Sequence, residues 1–190
     1  MIKKLVRLSK NTALLLIDIQ KGLDEHSFYG GNRNNLEAEV NAAKILAHWR
    51  KNGQPVFHVR HSSQNIASPL HASKPGFDIK EGVKPLDHEP LFTKNVNSAF
   101  IGTDLEQVLR DKSIKSVVVV GLTTNHCVST SVRMAANLGF ETVLVSDACA
   151  AFDQKGVNGQ TFDAELVHQT ALASLKDEFA QIVSTAQLLE

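Results

Sequence analysis

A cysteine that follows a run of four valines is the residue in this chain best placed to act as a nucleophile. Residues 117–120 are all valine, which is typical of a strand buried on both faces of a parallel sheet. Gly121 and residues 122–126 supply turn and helix-capping chemistry, and Cys127 opens a helical pattern that stops at Gly139. Backbone N–H groups at a helix N-terminus favour a thiolate over a thiol. The pattern therefore predicts a reactive Cys127, although a buried structural cysteine would fit the same position.

Two charged residues stand where other predicted strands end. Asp18 ends an apolar run near the start of the chain, and Lys94 ends a short strand-like segment. Because ligands bind at the carboxyl ends of strands in a parallel sheet, both side chains could converge on Cys127. A carboxylate can take a proton from a thiol, and an ammonium stabilises the resulting anion. Other roles stay open, since Asp18 with Gln20 could cap a turn and Lys94 could be an ordinary solvated lysine.

These residues depend for their position on a regular alternation of strand and helix patterns. Short apolar runs predict strands, and amphipathic segments with capping and stop residues predict helices. The alternation indicates an α/β fold with three layers, in which helices cover both faces of a mainly parallel, six-stranded sheet. The predicted strands are 12–18, 55–60, 91–94, 117–122, 142–146 and 180–183, and the predicted helices run from a cap at Asn34 or Asn35 to residue 51 and over 103–111, 126–138 and 163–176.

Length and composition restrict the class of protein. A chain of 190 residues is most simply one domain, over residues 1–190. Its 20 basic and 20 acidic residues balance, so charge gives no indication that it binds nucleic acid or an anionic membrane. The basic residues 3–7 lack the apolar segment of a secretory signal, and no apolar run approaches the roughly 18 residues of a membrane span. Cys127 and Cys149 are therefore expected as free thiols in a reducing cytoplasm.

Three segments together resemble the isochorismatase-like cysteine hydrolases, a superfamily that includes nicotinamidases, N-carbamoylsarcosine amidohydrolases and isochorismatase. They are Asp-Ile-Gln at 18–20, Lys-Asn-Val-Asn-Ser-Ala-Phe at 94–100 and Gly-Leu-Thr-Thr-Asn-His-Cys-Val at 121–128, with residues 145–151 as a further match. The resemblance extends from residue 13 to about residue 183. It implies a Rossmann-type strand order and a homo-oligomer, whose contacts could include Trp49 and exposed apolar side chains of the first helix.

The resemblance implies a catalytic triad of Asp18, Lys94 and Cys127. Cys127 would be the nucleophile, Asp18 the proton acceptor and later donor, and Lys94 the cation that holds both. A cis peptide bond between Leu122 and Thr123 is also implied, with an oxyanion hole formed by the backbone N–H groups of Thr123 and Cys127. Attack on an amide or carbamoyl carbon would give a thioester that water releases. We therefore predict a hydrolase that cleaves a C–N bond in a small-molecule substrate.

Other functions and mechanisms stay open at this point. Isochorismatase cleaves a vinyl ether, which has no carbonyl for a thiol to attack, so that activity would need Asp18 but not Cys127. A non-catalytic binding or assembly subunit could keep the fold, but it would be expected to have lost at least one triad residue. A dyad of Cys127 with His126 is disfavoured, because consecutive residues on a helix point about 100° apart.

Residues in the loops that follow the strands are the candidates for a metal site and for the pocket wall. Nicotinamidases hold a divalent metal with an Asp-x-His element and further histidines. In this chain no Asp precedes His58 and His61 at that spacing, and the other two histidines, His71 and His88, lie in the long segment 61–90. We therefore predict no metal and no cofactor. That segment is long enough to be a functional lid. The pocket candidates, each polar or aromatic, are Gln20, Phe28, Tyr29, Asn97, Ser98, Phe100 and Phe152.

Overall fold

The computed structural model describes residues 8–190 and has a parallel sheet as its middle layer. In chain order the elements are β1 (Ala13–Ile17), α1 (His26–Tyr29), α2 (Ala38–Lys51), β2 (Val56–His61), β3 (Leu91–Lys94), α3 (Leu105–Asp111), β4 (Ser116–Leu122), α4 (Ser129–Asn137), β5 (Glu141–Ala150), β6 (Gln154–Lys155), β7 (Thr161–Phe162), α5 (Ala164–Leu175), β8 (Gln181–Val183) and α6 (Thr185–Leu189). The predicted strands and helices are therefore all present, with ends that differ by a few residues.

The central sheet has the strand order β3-β2-β1-β4-β5-β8, and every neighbouring pair is parallel. This confirms the predicted fold class and strand order. Strands β1 and β4 lie side by side in the middle of the sheet, where the chain changes direction across it. Ligands bind at such a switch point, beyond the carboxyl ends of the strands. The fold thus brings the residue after β1 and the residues after β4 to the same place.

Alternate residues of the central strands enter two different cores. Leu15 of β1 and Val119 of β4 pack with helices α3, α4 and α5 on one face of the sheet. Leu14 and Val118 pack with helix α2 on the other face. Apart from Ser116 at the start of β4, both strands are therefore buried along their whole length, which explains why their sequences are continuously apolar rather than alternating.

Helix α2 begins later than the sequence predicts. Its N-terminal cap is Glu37, and the two asparagines predicted as caps have other partners. Asn34 accepts a hydrogen bond from the Ala151 backbone N–H at 2.8 Å, and Asn35 donates to the Cys149 carbonyl at 2.8 Å. These bonds attach the start of the helix to the end of β5. Partners distant in the chain thus outcompeted the local capping interaction.

Trp49 belongs to the core, so the prediction that it contributes an oligomer contact is wrong. Its side chain is 1% exposed, and its indole N–H donates to the Thr12 carbonyl at 3.0 Å. The large apolar side chains exposed on this part of the chain are Leu36 and Val40. A buried indole needs such a hydrogen-bond partner, which the sequence alone does not reveal.

A buried ionic cluster joins β2 and α2 to the end of the 61–90 segment. Glu89 binds Arg50 through both carboxylate oxygens at 2.7 and 2.8 Å, and one oxygen lies 2.9 Å from His58 Nε2. Burial alone would raise the pKa of Glu89, but its bonds to Arg50, to the Leu86 N–H and to His58 outweigh it and lower that pKa to about 2. The charged carboxylate therefore stabilises the folded state.

The cluster predicts a specific loss of stability in acid. Because the folded-state pKa lies below the unfolded value, the contribution is complete above about pH 4.5 and disappears as the pH falls towards 2. We expect Glu89→Gln to lower the free energy of unfolding at pH 7 by roughly 2–3 kcal/mol and to flatten its decline in acid. Urea unfolding at several pH values measures both effects. Glu178→Gln, at an exposed position, is the control, and an equal effect of both variants would contradict the prediction.

Within residues 8–190 no helix has the length and apolar character needed to cross a membrane. The prediction that residues 3–7 do not begin a secretory signal lies outside the described residues.

Candidate active site

A buried ion pair forms the floor of the candidate site. Lys94 Nζ donates to Asp18 Oδ2 at 2.6 Å, and the two residues are 0% and 1% exposed. The alternative of a solvated Lys94 is therefore wrong. Removing two charges from water costs free energy, so a buried ion pair contributes little net stability to the fold. A fully buried lysine at a strand end consequently indicates a functional requirement for charge.

The backbone at Asp18 turns sharply at the end of β1. This residue has φ +52°, in the left-handed region that aspartate tolerates better than most residues. Next to it on β4, Gly121 has φ +136°, and a Cβ there would lie 2.0 Å from the Ile17 carbonyl oxygen. Only glycine permits this approach. The two central strands therefore end in close contact, which places Asp18 beside the turn that carries Cys127.

Cys127 lies half-buried in a π-helical turn, Thr124–Val128, that precedes α4. The sequence predicts Cys127 in the first turn of an α-helix, whereas it lies in a turn of π-helix directly before that helix. Such single π-helical turns are often found at functional sites. One ring nitrogen of His61, one carboxylate oxygen of Asp18 and Cys127 Sγ all lie within 4.8 Å of one another. Sγ is also 3.8 Å from Asn97 Oδ1. The structure therefore brings the three predicted triad residues together.

The thiol of Cys127 is harder to ionise than the sequence predicts. Burial raises its pKa far above the usual range, and the negative charge of Asp18 raises it further, while Lys94 acts in the opposite direction. The predicted effect of the lysine therefore has the expected sign, but burial and the charge of Asp18 outweigh it, which the sequence did not predict. A reaction at this sulfur would therefore need a base that removes the thiol proton. Asp18 Oδ1, which is buried and has no hydrogen-bond partner within residues 8–190, is the available acceptor.

A cavity of about 420 Å³ lies over the ion pair and the thiol. Its apolar wall includes Tyr29 and Phe152, whose rings stack with centroids 5.4 Å apart. The other lining residues are Asp18, Leu23, His61, Ser63, Ser68, Leu70, Asn97, Leu122, Thr123, Asn125, His126, Cys127 and Gln154. Four of these, His61, Ser63, Ser68 and Leu70, belong to the first part of the predicted lid segment 61–90. The cavity is large enough for a small organic molecule.

The structure places only part of the predicted pocket set at this cavity. Tyr29, Asn97 and Phe152 line it. Phe28 is 46% exposed and packs edge-on against Tyr29 away from the lining, so its placement was wrong. Phe100 is also misplaced, because it is buried in the core and stacks with Phe140.

Two polar candidates turn out to hold the backbone instead of lining the cavity. Gln20 is fully buried, and its amide brackets the His61 backbone by accepting from its N–H at 2.7 Å and donating to its carbonyl at 3.0 Å. Ser98 is 2% exposed, and its hydroxyl accepts from the Phe100 N–H at 3.2 Å. The predictions of Gln20 and Ser98 as pocket residues are therefore corrected.

The sequence profile of the isochorismatase domain matches residues 12–187. The chain belongs to the isochorismatase family. The uncharacterized isochorismatase family protein YrdC of Bacillus subtilis is 48% identical over 182 residues, which cover 96% of each chain. A crystal structure of an isochorismatase-family protein from Chromobacterium violaceum has a TM-score of 0.94 at 38% identity, and the match covers 99% of this chain and 97% of that one. A more distant relative, Nicotinamidase 3 of Arabidopsis thaliana, is 27% identical over 193 residues, with 95% of this chain and 88% of that protein covered.

Membership of the isochorismatase family agrees with the backbone around the thiol. The peptide bond between Leu122 and Thr123 is cis, as the resemblance implies. Thr123 and Cys127 both border the cavity. The role of their N–H groups as an oxyanion hole stays a prediction.

The histidines of this isochorismatase-family chain do not form the metal element of nicotinamidases. His58 is held inside the sheet by Glu89, and His71 bonds to Ser73 within its own loop. His88 lies in a different cavity, at the amino end of β2. Of these four histidines only His61 reaches the candidate site, and there the ammonium of Lys94 already supplies a cation. The donor set therefore does not fit that element.

Several lining residues were missed from the sequence. His61, Asn125 and Gln154 border the cavity, and Asn125 Oδ1 is buried without a hydrogen-bond partner in the described part of the chain. Gln154 Nε2 lies 3.1 Å from His126 Nε2 across the cavity rim. His61 could have been identified from the sequence, because it stands at the end of β2 as Asp18 stands at the end of β1. Gln154 carries no such signal, because it belongs to a loop hairpin.

Proposed function

We propose that this member of the isochorismatase family is a cysteine hydrolase that cleaves a C–N bond, such as an amide or carbamoyl bond, in a small uncharged molecule. The observation that carries the proposal is the buried Asp18–Lys94 pair beside a thiol that borders a cavity. A thiol, a base and a fixed cation are what acyl transfer through sulfur needs.

The geometry supports a two-stage reaction. Asp18 Oδ1 accepts the thiol proton as the sulfur of Cys127 attacks the carbonyl carbon, and Lys94 remains paired with Oδ2 throughout. The negative charge thus moves from the carboxylate to the substrate oxygen while the cation stays in place. Asp18 then returns the proton to the leaving nitrogen, which leaves a thioester on Cys127. Water then attacks the thioester while Asp18 takes one of its protons, the C–S bond breaks to release the acid, and Asp18 returns that proton to the sulfur of Cys127.

The charge of the cavity wall supports an uncharged substrate. Among the described residues that line the cavity, Asp18 is the only Asp, Glu, Lys or Arg, and its charge is already matched by the buried Lys94. A charged group on the substrate would lose its hydration in this cavity without gaining a partner. Neutral donors and acceptors of the wall, such as Asn97 and Asn125, suit a neutral polar molecule.

This argument disfavours the vinyl ether alternative. Isochorismate carries two carboxylates, and the described lining offers no lysine or arginine to bind them. A relative that acts on an amide, by its name Nicotinamidase 3, also supports C–N cleavage. The non-catalytic alternative gains no support, since none of the three triad residues has been lost and the fold assembles all three.

Matched pairs of amides test the proposal directly. Each pair combines a neutral amide with an analogue that carries a carboxylate at its far end, for example butyramide with succinamic acid and benzamide with 4-carbamoylbenzoic acid. We expect kcat/KM for the neutral member to exceed that of the anionic member by at least about tenfold, because the carboxylate would be desolvated without a partner. Release of ammonia is the measurement.

Mass spectrometry of the protein during turnover is the second measurement. We expect a mass increase of one acyl group on the peptide that contains Cys127. Ammonia release without such an adduct under rapid quenching, or a preference for the anionic amides, would count against the proposal.

Two further expectations accompany the proposed function. Cys127 must remain a reduced thiol to act, so we propose that the protein works in a reducing compartment such as the cytoplasm. We also propose that it self-associates, as the family resemblance implies, with Leu36 and Val40 as candidate contacts in place of Trp49.

A further inference from the structure

We propose that His61 is a fourth member of this centre, a positioning residue that holds the Lys94 ammonium so that one of its N–H groups is directed at the sulfur of Cys127. The inference rests on the proposed function only in assigning Lys94 and Cys127 to the chemistry. Its main test measures the thiol itself and needs no substrate.

The fold fixes His61 at the same depth as the ion pair. His61 ends β2, and its Cα partner across the β2–β3 pairing is Lys94. Its Nδ1 lies 3.2 Å from Lys94 Nζ. The fully buried Gln20 amide binds the backbone N–H and carbonyl of His61, so this side chain fixes the position of His61 in addition to the strand pairing. The ring also borders the cavity.

The ammonium of Lys94 has three hydrogens and no exposure to solvent, so each hydrogen needs an acceptor. Asp18 Oδ2 takes one at 2.6 Å, and His61 Nδ1 takes the second at 3.2 Å. We assign the third to Cys127, because its Sγ lies within 4.8 Å of a carboxylate oxygen of Asp18 and a ring nitrogen of His61. Burial has the largest effect on the pKa of that thiol and raises it, whereas Lys94 acts to lower it. Without an acceptor at the position of His61 Nδ1, the ammonium would turn to satisfy its hydrogens, and its contact with the sulfur would weaken.

This arrangement also defines the state of the imidazole. Because an ammonium can only donate, Nδ1 must be an acceptor, and the neutral ring then carries its hydrogen on Nε2. Burial and then the charge of Lys94 lower the pKa of His61, while Asp18 and the Val96 carbonyl act in the opposite direction. A protonated ring would lose the bond to Lys94 and place two cations together. The neutral form is therefore the form that positions Lys94.

Two substitutions of nearly equal shape separate this role from packing. In His61→Asn the amide Oδ1 takes the place of Nδ1 and keeps an acceptor for Lys94. In His61→Leu the side chain has the same branching but no acceptor. The probe is iodoacetamide, with alkylation of Cys127 followed by mass spectrometry over a pH series, which separates it from the fully buried Cys149. Thermal unfolding checks that each variant is folded.

We expect His61→Asn to be alkylated within about threefold of the wild-type rate. In His61→Leu the alkylation profile should shift to higher pH, with a rate at pH 8 reduced roughly tenfold, as for loss of a hydrogen bond to a charged group. Coincident profiles for the two variants, or a shift of the His61→Leu profile to lower pH, would overturn the proposal. Should His61→Leu not fold, His61→Gln serves instead, because its amide reaches the Nε2 position and leaves Nδ1 unreplaced; the same shift is expected, and its absence is equally decisive.

Turnover of an amide substrate gives an independent readout. We expect the variant without the acceptor to lose roughly tenfold to a hundredfold in kcat with KM within about threefold, and the asparagine variant to recover most of that loss. A loss of the same size in both variants contradicts the positioning role. If the wild-type protein turns over no amide, the proposed function fails, but the alkylation profiles still decide the role of His61.

Discussion

Replacement of Cys127 by alanine is expected to reduce hydrolysis of the neutral amides by at least about a thousandfold, because the variant can form no thioester. The ion pair of Asp18 and Lys94 should remain, so the fold and the affinity for substrate should change little. Steady-state release of ammonia gives the rate, and the acyl adduct should be missing from the mass spectrum. Cys149→Ala is the matched control, since it removes the other free thiol from the core and should keep most of the activity.

The same variant separates the two enzymatic hypotheses. Under the thioester mechanism, Cys127→Ala loses activity with every true substrate. Under vinyl ether hydrolysis the sulfur has no carbonyl to attack, so Cys127→Ala would keep its turnover, and only loss of Asp18 would abolish it. Full turnover by Cys127→Ala would therefore remove the covalent route.

Replacement of Asp18 by asparagine is expected to change two measurements in opposite directions. Turnover should fall by roughly a thousandfold, because an amide cannot accept the thiol proton or return it to the leaving nitrogen. The pKa of Cys127 should fall, because burial and Lys94 remain but the carboxylate charge that raises it is gone. Alkylation of the thiol should consequently begin at lower pH than in the wild-type protein.

This combination is difficult to obtain from misfolding. A disordered site would lose turnover and also lose the effect of Lys94 on the sulfur. Asp78→Asn, at an acid that pairs with Lys21 on the surface, provides the control and should leave both measurements unchanged. If Asp18→Asn moves the alkylation profile to higher pH, Asp18 does not raise the pKa of the thiol, and its role as the proton acceptor fails.

Patterns in the sequence were sufficient to predict the fold and the three side chains that meet at the candidate site. Continuous apolar runs mark strands that are buried on both faces, and Asp18, Lys94 and Cys127 each stand at or after the end of such a strand. A parallel sheet necessarily collects these ends on one edge. The strand order followed from the family resemblance and was confirmed.

Patterns in the sequence did not predict which residues line the cavity. Gln20 and Ser98 have polar side chains that could bind a substrate, but both form hydrogen bonds with backbone groups instead. Asn125 and Gln154 were missed, because no periodic pattern distinguishes a lining residue of a loop from a solvated one. Whether such a side chain meets a ligand depends on loops from three parts of the chain.

The amino-acid sequence by itself determined the layers, the sheet and which three charged or nucleophilic side chains stand at one edge of it, since these depend on local periodicity and on which residue follows each strand. Only the tertiary structure decided that burial raises the pKa of the sulfur and that a histidine nitrogen lies within hydrogen-bond distance of the lysine. Desolvation and charge proximity act through space, between groups that are 33 or more residues apart in the chain, as Lys94 is from His61. No spacing of residue types along the chain encodes those distances.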